Sequence, residues 1–272
     1  MPFTRKSKTP PSVPASTIRL GGMALQNGVL IQSPHAWGAA VRLDDGTIKF
    51  ASGDKALHHQ PRIPFLRGPI KFFESLTFFG SLKRALPEAR LPFVSRAGLS
   101  SLFLTVRAMQ RLETGKDSLK KDILTQLLTP LPALVTLAQG ETAAYHGAEH
   151  ITIGRYENKG PATREHKRCG STLVAPLMVG QAVSNIIAHR LPRAWQKPVR
   201  AGGSLFALGA ALEALAWAGR HPDHPLAEAL DKPGYFIQHN LGTREPSPEQ
   251  LEVAGKALDA CLNAELKYLL TD

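Results

Sequence analysis

The sequence predicts an α+β fold that is mainly helical, with a small N-terminal β-hairpin region packed on a helical bundle. Three observations carry this expectation. Short β-prone runs punctuated by turn residues fill the stretch before residue 60, and apolar residues recur at helical spacing from Pro64 onward. The composition is that of an ordinary globular chain, with 43% hydrophobic and 20% charged positions among 272 residues. Wholesale disorder, a collagen-like fibre and a polytopic transporter are not expected on that balance.

Residues 1–17 are basic, rich in proline and free of acids, and they lack the apolar core of a secretory signal. They read as a solvated, flexible tail. The segment 18–60 follows as the β-hairpin region. Val29-Leu30-Ile31 is one β-prone run and Trp37–Leu43 another; Asp44-Asp45-Gly46 supplies turn chemistry, and Thr47–Phe50 returns as a partner strand. Gly21, Gly22 and Gly28 form no phosphate-binding loop, because neither a GxGxxG nor a GK[ST] pattern is present; they read as turn or close-approach positions.

The helical region is expected over 61–272, as one domain with 18–60. Its first helix covers Ile70–Leu86, and Leu99–Leu112 is the second. Asp117 caps a run through Leu128, and Pro130 and Pro132 break the chain. A long helix is expected from Ala133 to about Tyr156, weakened by Gly140 and Gly147. Near the C-terminus, Ser247-Pro248-Glu249-Gln250 is a capping box with proline at the first helical position. Leu251, Ala254, Leu258, Cys261 and Leu262 then mark one apolar stripe, which makes Cys261 a core residue.

The charge balance narrows the partners. There are 33 Lys and Arg against 22 Asp and Glu, a formal +11, which favours nucleic acid, an anionic membrane surface or an anionic small-molecule substrate. Two cysteines point to a reducing, cytoplasmic setting. Two segments, 170–188 and 201–219, are long and weakly charged, and the basic stretch His189–Arg200 separates them. They read either as a membrane hairpin or as two packed helices. Gln181, Ser184, Asn185 and Glu213 favour a soluble or membrane-surface-associated bundle.

The stretch richest in chemistry is Tyr145-His146-Gly147-Ala148-Glu149-His150. On a helix, residues four apart project from one face, so His146 and His150 can meet one cation. Glu149 is placed to activate metal-bound water as general base, and H-x-x-E-H is the inverted zinc-protease pattern. Sixteen residues later, His166-Lys167-Arg168-Cys169 forms an H-x-x-C pair able to grip one borderline ion from a turn. Lys167 and Arg168 favour the Cys169 thiolate. The competing reading is a solvent-facing histidine pair and an unrelated cysteine. Glu213 is a carboxylate on an otherwise apolar helix and must be paired or bound to a cation. If the two apolar helices pack antiparallel, it falls level with about Pro176, within roughly 10 Å of Cys169.

Taken in order, Gly21–Val29, Pro64–Gly68 with Glu74-Ser75-Leu76, Tyr145–His150, His166–Ser171, Lys232-Pro233-Gly234 and Thr243–Val253 resemble the YqhQ-like family, a domain-of-unknown-function family (number 1385) labelled as predicted metal-dependent enzymes. The resemblance spans about residues 20–260. It implies metal dependence and supplies no substrate. The chain departs from the family pattern at Met23, Asn27 and Gln32, where Gln, Glu and Arg are usual, and at Lys167, where proline is usual. Its 170–219 segment is also more polar than the strongly hydrophobic helices often found there.

The leading expectation is a metal-dependent, hydrolytic enzyme using a divalent transition metal, zinc first. His146 and His150 hold the ion with Cys169 or Glu213, Glu149 is the base, and His166 completes or orients the shell. Arg67, Arg168 or Arg244 binds an anionic substrate group. Two alternatives stand beside it: a structural metal in a protein that binds RNA or another polyanion, and a membrane-surface interaction protein.

Overall fold

The computed structural model describes residues 18–55, 70, 78–113, 119–221 and 223–271. The expected basic tail, His58-His59, Arg67, Glu74 and the Asp117 cap lie outside them. The fold is α+β and mainly helical. Strands β1 (Gly21–Leu25), β2 (Gly28–Gln32), β3 (Ala36–Arg42) and β4 (Ile48–Asp54) form one antiparallel sheet in the order β1-β2-β3-β4. Gly46, with φ of 85°, supplies the left-handed residue of the β3–β4 turn, where a side chain would be strained. Gly21 and Gly22 lie within strand β1, so of the turn or close-approach roles expected for them the turn role does not hold.

Alternation along the strands buries both faces of the sheet. Val29, Ile31 and Ala40 face helices α5 (Gly140–Asn158) and α9 (Pro248–Thr271), meeting Tyr145, Ala148, Val253, Ala257 and Cys261. Leu25, Leu30, Trp37, Ala39 and Val41 face the other way, against Leu82, Leu86 and Ala89 of the helix α1 (78–85) and the segment after it. At the crossing of α9 over β3, a Cβ on Gly38 would lie 2.2 Å from the Cys261 amide nitrogen, so the helix rests on bare backbone. Cys261 is fully buried there, as a core residue.

The C-terminal helix starts as the sequence signals. The Gln250 amide donates to Ser247 Oγ (3.3 Å) and the Ser247 amide donates to Gln250 Oε1 (2.9 Å), a closed capping box. Glu265 on the same helix reaches across to the β2–β3 connection. It accepts from Ser33 Oγ (2.7 Å), from the His35 amide (3.0 Å) and from His35 Nδ1 (2.7 Å). Burial pushes the Glu265 carboxyl up, but these bonds from Ser33 and His35 outweigh it and hold the group below its ordinary range.

Between sheet and C-terminus run α2 (Arg96–Glu113), α3 (Leu119–Leu128) and α4 (Leu131–Leu137), then α5, α6 (Val174–His189), α7 (Arg193–Ala218) and α8 (Pro225–Ile237). Two boundaries differ from expectation. The long helix over 133–156 is two helices, α4 and α5: the run Lys120–Leu137 meets α5 at 83°, and Gln139 between them adopts extended backbone. The helix expected to start at residue 201 begins at Arg193 and continues through Pro198. Helix α8 carries no clear sequence signal because Pro233 and Gly234 lie inside it; a Cβ on Gly234 would lie 2.7 Å from the Thr172 Cα, so this glycine lets α8 seat against the 3₁₀ turn Gly170–Leu173.

Candidate metal centre

Helix α5 passes through the middle of the molecule, and residues 142–154 are buried without interruption. His146 and His150 are 6% and 2% exposed, which removes the solvent-facing reading of the pair. Their rings lie 4.3 Å apart between centroids, as the four-residue spacing requires.

Each imidazole is oriented by a backbone carbonyl from outside the helix. His146 Nδ1 lies 2.7 Å from the Gly242 carbonyl, and His150 Nδ1 lies 2.6 Å from the Arg164 carbonyl. A carbonyl can only accept, so each Nδ1 carries the proton, and in the neutral imidazole Nε2 keeps its lone pair. This is the orientation that metal-binding histidines use. Cys169 Sγ lies 3.4 Å from His146 Nε2. One ligand atom from each of His146, His150 and Cys169 falls within 4.8 Å of the others, the group among the described residues suited to hold a metal. In tetrahedral zinc coordination, a nitrogen at about 2.0 Å and a thiolate at about 2.3 Å stand about 3.5 Å apart, close to the observed separation. The donors fit the ion.

Two loops build this arrangement. The first leaves α5 through Lys159, which is left-handed at φ 50° and ends the helix. It folds back so that Ala162 covers Gly154, then presents the Arg164 carbonyl. His166 and Cys169 close a turn, with the Cys169 amide donating to the His166 carbonyl at 3.2 Å. The second loop is the π-helical turn Gln238–Gly242 after α8. Buried Gln238 accepts from the His166 amide (2.7 Å) and donates to the His166 carbonyl (3.2 Å) and to Ser171 Oγ (2.9 Å). It fixes both flanks of the H-x-x-C turn. Arg164 stitches the loops together, donating to the carbonyls of Thr243 and His239, each at 3.3 Å. Gln238, Gly242 and Arg164 were not anticipated from the sequence.

Glu149 is 5% exposed and lies outside the three-donor group, against β1. A Cβ on Gly22 would lie 2.6 Å from Glu149 Oε1, so this glycine is a close-approach position that makes room for the carboxylate. Burial pushes the Glu149 carboxyl up to about 7, against a smaller downward pull from His146. His166 lies beside the group, its ring 5.5 Å from that of His150 and its Nε2 3.5 Å from Glu157 Oε2. Burial lowers its basicity, the charges of His150 and Arg168 lower it further, and Glu157 opposes them.

The remaining expected residues separate from this group. Arg168 pairs with Glu157. Arg244 lies on the exposed segment after the π turn, its amide donating to the Ala143 carbonyl at 2.9 Å. Glu213 is half-buried on α7; the contacts Gly203–Ser184 and Gly180–Ala207 set a register that brings it level with about Val174. Beside His166 opens a groove of about 460 Å³ lined by Lys167, Asp231, Lys232, Tyr235, Phe236 and His239. Its lysines, Lys167 and Lys232, stand among the carboxylates of Glu165, Glu228 and Asp231; neither Arg168 nor Arg244 lines it.

Comparison with known proteins agrees with the sequence resemblance. Residues 140–264, from the start of α5 into α9, match the family model described as "Protein of unknown function (DUF1385)". The chain is also 26% identical to "Uncharacterized protein YqhQ" of Bacillus subtilis (strain 168), over 96% of this chain and 95% of that protein. No solved structure matches the chain significantly. The two matches support the YqhQ-like family, a family of unknown function.

Proposed function

We propose that this chain is a metal-dependent enzyme, hydrolytic in type, whose ion is held by His146, His150 and Cys169. One observation carries the reading: three donors lie within 4.8 Å of one another, with both imidazoles turned by backbone carbonyls so that Nε2 is the free donor. Mixed nitrogen and sulfur donors suit zinc first. Among the described residues the donors number three, the count typical of catalytic zinc, whereas a structural site closes with four. A bound zinc would supply Lewis acidity and a water acidified to near neutrality.

The chain's own residues supply the rest. Glu149, buried and raised to about 7, is suited to accept a proton near neutral pH. His166 stands between the donor group and the groove, so a substrate entering there meets it first. That groove is of mixed charge: Lys167 and Lys232 share it with Glu165, Glu228 and Asp231, and Lys232 pairs with Glu228 (3.1 Å).

The test is turnover on a panel of ester, amide and phosphoester substrates by the zinc-loaded protein. We expect His146→Ala to fold with an unchanged circular-dichroism spectrum and to lose activity, and Glu149→Gln to lose about 100-fold or more with metal retained. A metal-loaded protein inactive across the panel, with RNA affinity falling steeply with salt, would favour the structural-metal, polyanion-binding alternative.

A further inference from the structure

The groove beside His166 has two walls. One is the loop after α5, carrying Glu165, His166 and Lys167; the other is α8 with the π turn that follows it. The four-residue period of α8 sets Asp231 and Tyr235 in one row and Lys232 and Phe236 in the next. His239 continues the first row, its ring stacked on that of Tyr235 at 6.0 Å. Thr172 and Gln238, both buried, complete the lining. Gln238 is bonded to the amide and the carbonyl of His166, so the groove is continuous with the H-x-x-C turn.

Most of the charge in the groove is already partnered. Glu165 lies 2.8 Å from His239 Nδ1 and pairs with Arg164 at 3.3 Å. Glu228 pairs with Lys232 at 3.1 Å. Asp231 and Lys167 are different: among the described residues neither has a hydrogen-bonding or ion-pairing partner. Asp231 is half-buried. Burial pushes its carboxyl up and Lys167 pulls it down by less, so the two charges sense each other without touching.

An acid on one wall and an ammonium on the other match a ligand that carries the reverse pair. A plain anion would meet the three carboxylates of Glu165, Glu228 and Asp231, and a plain cation would meet two lysines. Tyr235 and Phe236, 54% and 65% exposed, add aromatic surface for apolar side chains. The volume of about 460 Å³ is that of a small-ligand site. An unblocked peptide of a few residues has all of these features: an ammonium at one end, a carboxylate at the other and apolar side chains between.

We propose that the groove binds a short peptide with both ends free, its α-ammonium at Asp231, its α-carboxylate at Lys167 and its apolar side chains against Tyr235 and Phe236. Binding stands on the groove alone; that the peptide is the substrate rests on the hydrolytic reading of the centre. Cleavage consumes one water. Its oxygen bonds to the peptide carbonyl carbon and the C–N bond breaks with its electron pair going to nitrogen. Both protons of the water end on that nitrogen, leaving a new carboxylate and a new ammonium.

Calorimetric titration of the full chain carrying Glu149→Gln, chosen to keep the metal and lose turnover, tests binding with leucyl-phenylalanine as the probe. Acetylating its N-terminus or amidating its C-terminus should each weaken binding about tenfold. Adding Asp231→Asn should erase the effect of acetylation, and adding Lys167→Met the effect of amidation. Asp259→Asn, on the exposed face of α9, should change neither. The zinc-loaded native chain should release leucine and phenylalanine, with kcat/KM about tenfold lower for each blocked form. Equal affinity for the three forms would overturn the proposal, as would end effects that survive Asp231→Asn and Lys167→Met, or tighter binding of phosphoethanolamine than of the dipeptide. Selective binding without cleavage would uphold the peptide site and count against the hydrolytic reading. Hydrolysis of ester or phosphoester substrates without dipeptide binding would uphold that reading and overturn the peptide site.

Discussion

The Arg244 carbonyl lies directly over Gly147, so close that a Cβ there would stand 2.2 Å from the oxygen. That contact seats the segment after the π turn on α5, one residue from His146, and brings the Gly242 carbonyl within 2.7 Å of His146 Nδ1. A glycine that weakens the helix by propensity is what allows the histidine to be oriented.

Gly147→Ala is therefore expected to destabilise the fold by about 1–3 kcal/mol through overpacking against backbone. It should also weaken zinc binding, because the Gly242 carbonyl must move. Urea melts and zinc titration check both. A variant with native stability and native affinity would show that the contact is dispensable.

Glu265 gives a pH dependence with a definite sign. Its carboxyl is held below its ordinary range in the folded protein, so it binds fewer protons folded than unfolded at mildly acidic pH. Its contribution to stability is present above the ordinary glutamate pKa and is lost as pH falls through the depressed one. Glu265→Gln should flatten the acid limb of the stability profile. Glu265→Ala should cost about 3 kcal/mol at neutral pH, because it leaves the Ser33 hydroxyl and the His35 amide buried without their acceptor. Denaturant melts across the acid range measure both.

Ser247→Ala opens the capping box of α9 and should cost about 1 kcal/mol, with metal content unchanged. The same melts, paired with elemental analysis, separate a general loss of stability from a specific loss of the centre.

What the sequence made legible follows how local each signal is. The capping box depends on residues three apart, and the projection of His146 and His150 from one helical face depends on a fixed period of four; both can be counted along the chain. The mixed class of the fold was legible for the same reason. Strand β1 was obscured because Gly21 and Gly22 carry no β-prone side chain, while Gly22 is needed to clear Glu149. The break between α4 and α5 has no strong local stop signal, and tertiary packing sets it. Gly242 and Arg164 escaped notice for a deeper reason. Their contribution to the histidines is a backbone carbonyl, which every residue possesses, so side-chain identity does not mark it. Gln238 has an ordinary polar side chain whose importance comes from being buried between two loops distant in sequence.

The central claim is that His146, His150 and Cys169 share one ion, and cobalt(II) reconstitution of the purified chain tests it most directly. The account predicts one cobalt per chain and a thiolate-to-cobalt charge-transfer band that Cys169→Ser abolishes, with cobalt uptake lost in the His146→Ala, His150→Ala double variant. Equal cobalt content in the native and double-variant proteins, or an unchanged band after Cys169→Ser, would contradict it.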